Sequence, residues 1–223
     1  MSHNDEDHSG GVFSVLAQVP VGWLASTFDL PETAEPVKRI KCFAGQHWRC
    51  DDVNFEVLYP RIESYENVEI KDNNRSCVVE VTSQFGSALL TGDIEKEVER
   101  VLIEYALRTN IHAAYGDINL SDNSLASDVL ITPHHGSKTS STPEFIEAVS
   151  AKYTIFTVGY LNRFKHPSPL IENRYKGSSA ALYRSDYQGA LLLDFTRKNG
   201  IKINAWRQSQ PRYWQDSYES DKN

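Results

Sequence analysis

The chain has 223 residues, a formal net charge of −7, 40% hydrophobic and 24% charged side chains, a globular composition that excludes disordered and fibrous classes. No run approaches the roughly 18 continuous apolar residues of a spanning helix, and three cysteines are too few for a disulfide scaffold. Acidic side chains dominate residues 1–137 and basic ones residues 138–223. Such a split suits a cation-binding front and an anionic substrate opposite it.

In chain order, residues 27–39 read as a polar loop with two prolines. Val53–Tyr59 alternates as a strand that Pro60 ends. Residues 77–82 and 87–91, joined through Ser83-Gln84-Phe85-Gly86, predict a hairpin. Ile94, Val98, Val101, Leu102 and Tyr105 fall on one face of a helix over 94–107. Residues 109–126 form a polar connection. A short buried strand over 128–132 is stopped by Pro133. The next helix, 141–150, takes Ser141 as its cap, Pro143 in its first turn and Glu144 to close a capping box. A strand over 153–158 precedes a short helix, 169–175, capped by Ser168. Strands over 180–183 and 190–195 flank a turn at Asp186 and Gly189, and 201–206 pairs last. Strands alternating with helices argue an α/β fold.

Met1 is followed at once by a chemically dense stretch with no apolar segment of a signal peptide. No strand precedes that stretch to position it. The expectation is a domain over residues 1–207 that lacks upstream strands, with an open edge on the sheet carrying Val53–Tyr59, and a polar tail over 208–223.

Reactive side chains gather in four short segments: His3-Asn4-Asp5-Glu6-Asp7-His8, Thr91-Gly92-Asp93, Pro133-His134-His135-Gly136-Ser137 and Lys165-His166-Pro167. Three of them follow apolar strands. Imidazole and carboxylate are the donors that bind divalent metals, and loops leaving one sheet edge are able to converge on one ion. His47 and His112 lie outside these segments and read as ordinary histidines.

This ordered set resembles the metallo-β-lactamase superfamily. The strings SHNDEDHSGG, GQHWRCDDVNFEVLYP, NNRSCVVEV, LLTGDIEKE, DVLITPHHGSKTSS and VGYLNRFKHPSP are similar to the C-terminal metallo-β-lactamase-like domain of the competence DNA-internalisation protein ComEC. The resemblance implies an αββα sandwich with two divalent ions at one edge. It implies His3 and Asp5 as ligands of the first metal, Asp7 and His8 of the second, Asp93 bridging them and His166 completing the second site. It also places His134 or His135 beside the metals, as ligand or proton donor. Asp5 stands where the wider superfamily has histidine, and no histidine lies between residues 48 and 92. The first site is therefore oxygen-rich. Manganese or zinc is expected, with one ion weakly held.

The implied activity is hydrolysis of a phosphodiester in one strand of incoming DNA. Asp7, His134 and His135 are the catalytic candidates, and Ser137, Lys138, Arg163 and Lys165 the DNA contacts. The implied partners are DNA and the membrane channel portion of the same full-length protein, which is attached to the bacterial inner membrane with this domain facing the periplasm or the exterior. No membrane contact by this chain is expected. The competing readings are a non-catalytic DNA-guiding module and another hydrolase of the superfamily, such as a lactonase or thioesterase. Cys42 and Cys50 either pair or are unrelated thiols, and Cys77 reads as a core residue.

Overall fold

A computed structural model describes residues 1–30, 37–114 and 125–213, with side chains described outside 109–124. Two helices lie in the first twenty residues, α1 (Glu6–Ser9) and α2 (Val12–Gln18). Strands β1 (Trp23–Ser26) and β2 (Lys38–Lys41) then pair in parallel. The central sheet has seven strands in chain order: β3 (His47–Cys50), β4 (Val53–Tyr59), β5 (Val78–Ser83), β6 (Gly86–Leu90), β7 (Val129–Ile131), β8 (Tyr153–Phe156) and β9 (Ala181–Arg184). Strands β3 to β6 form an antiparallel meander. From β6 to β9 all neighbours are parallel, each step crossing over through chain that includes a helix or a long connection. The last pair, β10 (Leu191–Thr196) and β11 (Gly200–Ala205), is an antiparallel hairpin outside the central sheet.

Helices α3 (Lys96–Ala114), α4 (Pro143–Val149) and α5 (Pro169–Lys176) lie on one face of the central sheet. The row Leu89, Leu130, Thr154 and Leu182 runs across four parallel strands on that face. Leu89 and Leu130 pack there with Val98, Leu102, Phe145, Val149, Ile171 and Tyr175. Each such side chain contributes about 1.5–3 kcal/mol by leaving water. The other face carries the small sheets. Val57 and Val79 meet Cys42, Cys77, Ala25 and Trp48 under β1–β2. The Tyr153 hydroxyl donates to the Ile201 carbonyl of β11 at 3.3 Å. The architecture is α/β, with a mixed seven-stranded sheet between helices and two small sheets, and is compatible with an α/β sandwich.

Several expectations change. Val53–Tyr59 forms a strand, β4, which is interior, with the unpredicted four-residue β3 beyond it as the edge strand of this sheet. Among the described residues, the small sheets are the ones with two strands each. Helix α3 runs to Ala114, into the stretch read as a polar connection; residues 115–124 and the side chain of His112 lie outside the described residues. Thr142, not Ser141, caps α4, its hydroxyl accepting from the Phe145 N–H. Ser141 instead turns inward at φ +58°, where buried Glu99 accepts its N–H and that of Thr142. Strand β9 joins the central sheet, and α6 (Ser185–Gln188) separates it from β10. A last turn, α7 (Trp206–Ser209), straddles the expected boundary between the domain, 1–207, and the tail, 208–223, of which residues 214–223 lie outside the described residues. Cys42 pairs with Cys77, and Cys50 is exposed and free.

On the helix face, Glu80 of β5 sits directly across from Glu56 of β4. Burial, reinforced by the Glu56 charge, pushes the Glu80 carboxyl up from about 4.5 to about 7. The folded state therefore holds this proton where the unfolded chain has released it. Stability from this group is complete below about 4.5 and is lost as pH rises to about 7. Glu80→Gln is expected to raise the melting temperature above that pH and to flatten its dependence below it. Identical pH–melting curves for both proteins would refute this.

Candidate metal centre

Because β6, β7 and β8 are parallel neighbours, their C-terminal ends lie along one edge of the sheet, where ligands of open α/β sheets gather. Asp93 follows β6, His134 and His135 follow β7, and the His166 loop follows β8. The meander brings the N-terminal segment to the same edge. The start of β5 lies beside the end of β6, and the Cys77 N–H donates to the Ser2 carbonyl at 3.0 Å. Gly92 is required here. Its φ is +55°, and a Cβ would lie 2.9 Å from Ser2 and Ser76 atoms. Pro133–Gly136 is an equally constrained turn, with His134, His135 and Gly136 all at positive φ. Strain of this kind persists only where the surroundings hold it, and it is concentrated at functional sites.

Two groups of three donors form among the described residues: His3, His8 and Asp93, and Asp7, His8 and His135. His8 belongs to both. Its Nε2 is 3.1 Å from Asp93 Oδ1, 3.2 Å from His135 Nε2 and 3.7 Å from Asp7 Oδ2. His3 is buried, and its Nε2 makes no hydrogen bond. The carboxylates near that nitrogen are Asp5 Oδ2 at 3.4 Å and Asp93 Oδ2 at 3.8 Å. Asp5 thus adjoins the first group from its exposed side. His166 stands outside both groups. Its ring lies 5.9 Å from that of His134, and its Nδ1 is also buried without a partner.

The two adjacent histidines differ. His135 Nδ1–H donates to the Thr157 carbonyl at 2.6 Å, so its Nε2 presents a lone pair to Asp7 Oδ2, itself an acceptor, at 3.1 Å. Two acceptors face one another there, and a cation between them resolves the conflict; His8 Nε2, 3.2 Å from His135 Nε2, instead donates to Asp93 Oδ1 and would give up that proton to join the cation. His134 belongs to neither group of three, although its Nε2 is 3.7 Å from Asp93 Oδ2, against 3.6 Å for that of His135. Its Nδ1 lies 3.1 Å from Thr139 Oγ1 and 3.8 Å from Glu95, and its Nε2 takes the Asn73 amide at 3.3 Å. The donor set therefore fits divalent ions, with His3, Asp5, His8 and Asp93 on one side and Asp7, His8 and His135 on the other.

Burial and charge oppose one another across the cluster. Burial works against a charged His8, but the Asp93 hydrogen bond and the Asp93, Asp7 and Asp5 charges outweigh it and raise its pKa. Burial likewise opposes ionised Asp93, yet His8, His135 and His134 hold it below the usual carboxylate range. His3 is lowered by burial, and His166 by burial and then by His134 and His135. Neutral His3 and ionised Asp93 are in the protonation states of metal ligands, whereas His8, drawn toward its charged form by the carboxylates around it, releases a proton when it binds a metal.

Of the DNA-contact candidates, Lys138, Arg163 and Lys165 are exposed along the rim, whereas Ser137 is buried, with its Oγ 3.2 Å from Thr139 Oγ1. Several supporting residues escaped the sequence reading. Ser76 Oγ accepts the Asp93 N–H at 2.9 Å and lies 3.3 Å from His3 Nδ1. Ser2 Oγ lies 3.2 and 3.1 Å from the Nδ1 atoms of His3 and His8. Asn73 and Asn74, read as turn residues, do occupy a turn, but Asn73 also reaches His134 and Asn74 accepts the Glu95 N–H at 2.8 Å. The signal available for them was position: they immediately precede a strand whose start must fall at the site edge.

No family model matches the chain. The chain is 35% identical over 215 residues to competence protein ComA of Neisseria gonorrhoeae, covering 96% of this chain and 27% of that protein. It is 29% identical to recombination protein 2 of Haemophilus influenzae over 87% of its length, and 26% identical to ComE operon protein 3 of Bacillus subtilis over 90%, covering 22% and 25% of those proteins. The chain spans about a quarter of the length of the curated relatives it matches. Among the described residues, no helix is long and apolar enough to cross a membrane. Over nearly its whole length, the chain is similar to one stretch of larger proteins, one of them named a competence protein.

Proposed function

We propose that this chain is the metal-dependent nuclease region of a competence protein, with a metallo-β-lactamase-type fold and a two-metal site that hydrolyses one strand of incoming DNA. The observation that carries the reading is the cluster itself. His3, Asp5, Asp7, His8, Asp93 and His135 come together with buried, unpartnered or mutually repelling lone pairs. The similarity to a competence protein supports DNA as the substrate.

The ions, manganese or zinc, would lower the pKa of a bound water and neutralise charge developing at phosphorus. This chain's own groups do the rest. Asp7, exposed at the mouth, orients the attacking water and receives its proton. His135 is fixed by the Thr157 carbonyl as a ligand. His134, held by Thr139, Asn73 and Glu95, is the better placed of the pair to return a proton to the leaving oxygen. Lys138, Arg163 and Lys165 line the rim for phosphate oxygens, while Ser137 acts through loop structure. The remaining three quarters of the relatives' length is where a membrane channel partner would lie.

The test is cleavage of labelled single-stranded DNA with added manganese, alongside metal analysis. Cleavage lost on chelation and restored by manganese is expected. Cleavage that survives exhaustive chelation would sink the reading.

A further inference from the structure

The loop between β8 and α5 presents its apolar side chains outward. Leu161 is 83% exposed and Phe164 65%. Leaving a side chain of this size in water forgoes about 1.5–3 kcal/mol of burial. The loop is nonetheless firmly held. Asn162 Oδ1 accepts the His166 N–H at 2.8 Å, and its Nδ2 donates to the His166 carbonyl at 2.8 Å and to the Gly159 carbonyl at 3.2 Å. Leu161 and Lys165 sit at φ +51° and +56°, a conformation that disfavours side chains by about 1–2 kcal/mol each.

The exposed ring is connected to the metal centre. Phe164 lies within 15° of parallel to His166, with ring centroids 5.9 Å apart, and His166 is 5.9 Å from His134. The Arg163 guanidinium lies over the Phe164 ring, 4.7 Å from its centre. Planar groups therefore run from the cluster to solvent, with the cations Arg163 and Lys165 alongside, in a chain whose net charge is −7. Aromatic and guanidinium planes interleaved with positive charge bind unpaired nucleotides: bases stack on the planes and phosphates meet the cations. A duplex keeps its base faces stacked on one another and has none to offer.

We propose that this loop is a stacking platform on which Phe164 and Arg163 hold an unpaired nucleobase while Lys165 meets its phosphate, so that the site selects single strands over duplex. The proposal rests on the phosphodiester reading of the cluster, and its test separates the two.

Binding of labelled single-stranded, duplex and abasic oligonucleotides is measured by fluorescence anisotropy with chelator present, so that nothing is cleaved. Phe164→Ala is expected to weaken single-strand binding by about 5- to 100-fold, Phe164→Trp to retain it, and duplex binding to change little. The abasic strand should bind wild type about as weakly as the normal strand binds Phe164→Ala. Lys165→Ala should lower the salt slope by about 1, and Phe164→Ala should leave it unchanged. Single-strand affinity indifferent to Phe164, or an abasic strand bound as tightly as a normal one, overturns the platform. So does Phe164-dependent binding to anionic phospholipid vesicles with nucleic-acid binding untouched, which would make the loop a membrane contact. Phe164-dependent binding by a protein that never cleaves supports the platform and removes the nuclease. Cleavage with Phe164-independent binding does the reverse.

Discussion

Asp7→Ala is expected to abolish manganese-dependent DNA cleavage, a loss of about 1000-fold or more, while leaving the melting temperature nearly unchanged. The Asp7 side chain is 64% exposed on the first turn of α1, and its partners are His135 Nε2 at 3.1 Å and His8 Nε2 at 3.7 Å. Removing it opens no cavity, and exposed substitutions of this kind move stability by about 0.5 kcal/mol or less. Its loss removes a negative oxygen from the place where the nucleophile forms, where single preorganised groups are worth about 100- to 10,000-fold. Asp93 is a poorer probe, because it is buried and its backbone is tied to Ser76. Asp51→Asn, on an exposed turn of the meander at φ +48°, which Asn tolerates as Asp does, is the control and should be neutral. Initial rates with and without manganese, paired with thermal melts, check the expectation. An Asp7→Ala protein as active as wild type would refute the assigned role.

The second large effect is on stability. The Cys42–Cys77 bond closes a loop with a sequence separation of 35 residues, and loop-closure entropy assigns such a crosslink about 3–4 kcal/mol. It joins the β1–β2 layer to the central sheet through the cluster containing Val57, and Tyr65 further pins the Cys42 carbonyl. Cys77→Ser in the full chain is therefore expected to lower the melting temperature by roughly 10 °C, at about 2–4 °C per kcal/mol for a chain of this size. Cys50→Ser should not shift it. Since Cys77 adjoins Ser76, which supports both His3 and Asp93, the same variant is expected to bind manganese more weakly. Peptide mapping without reductant supplies an independent check: recovery of a Cys42–Cys50 peptide would refute the pairing.

Much of the site-bearing half was determined by local sequence. β4 begins and ends where alternation and Pro60 place it. The 77–91 hairpin, the apolar stripe of α3, the Ser168 cap of α5 and the short strands before Gly92-Asp93 and Pro133-His134 all follow from periodicity and turn chemistry within a few residues. The clustering of donors in four segments was legible for the same reason, since three of the four follow a strand. Tertiary structure decided what sequence spacing does not encode. Cys42 meets Cys77 because β1–β2 packs across the central sheet, a contact between layers that spacing along one chain does not report. Ser141 lost the cap of α4 to Thr142 because buried Glu99, 42 residues away, takes its N–H. His134 and His135 are chemically identical neighbours, and only the left-handed turn at Pro133–Gly136 sends one to the Thr157 carbonyl and the other to Thr139 and Asn73. Periodicity specifies which residues share a face; the crossing of separate strands at one sheet edge specifies which of their donors share an ion.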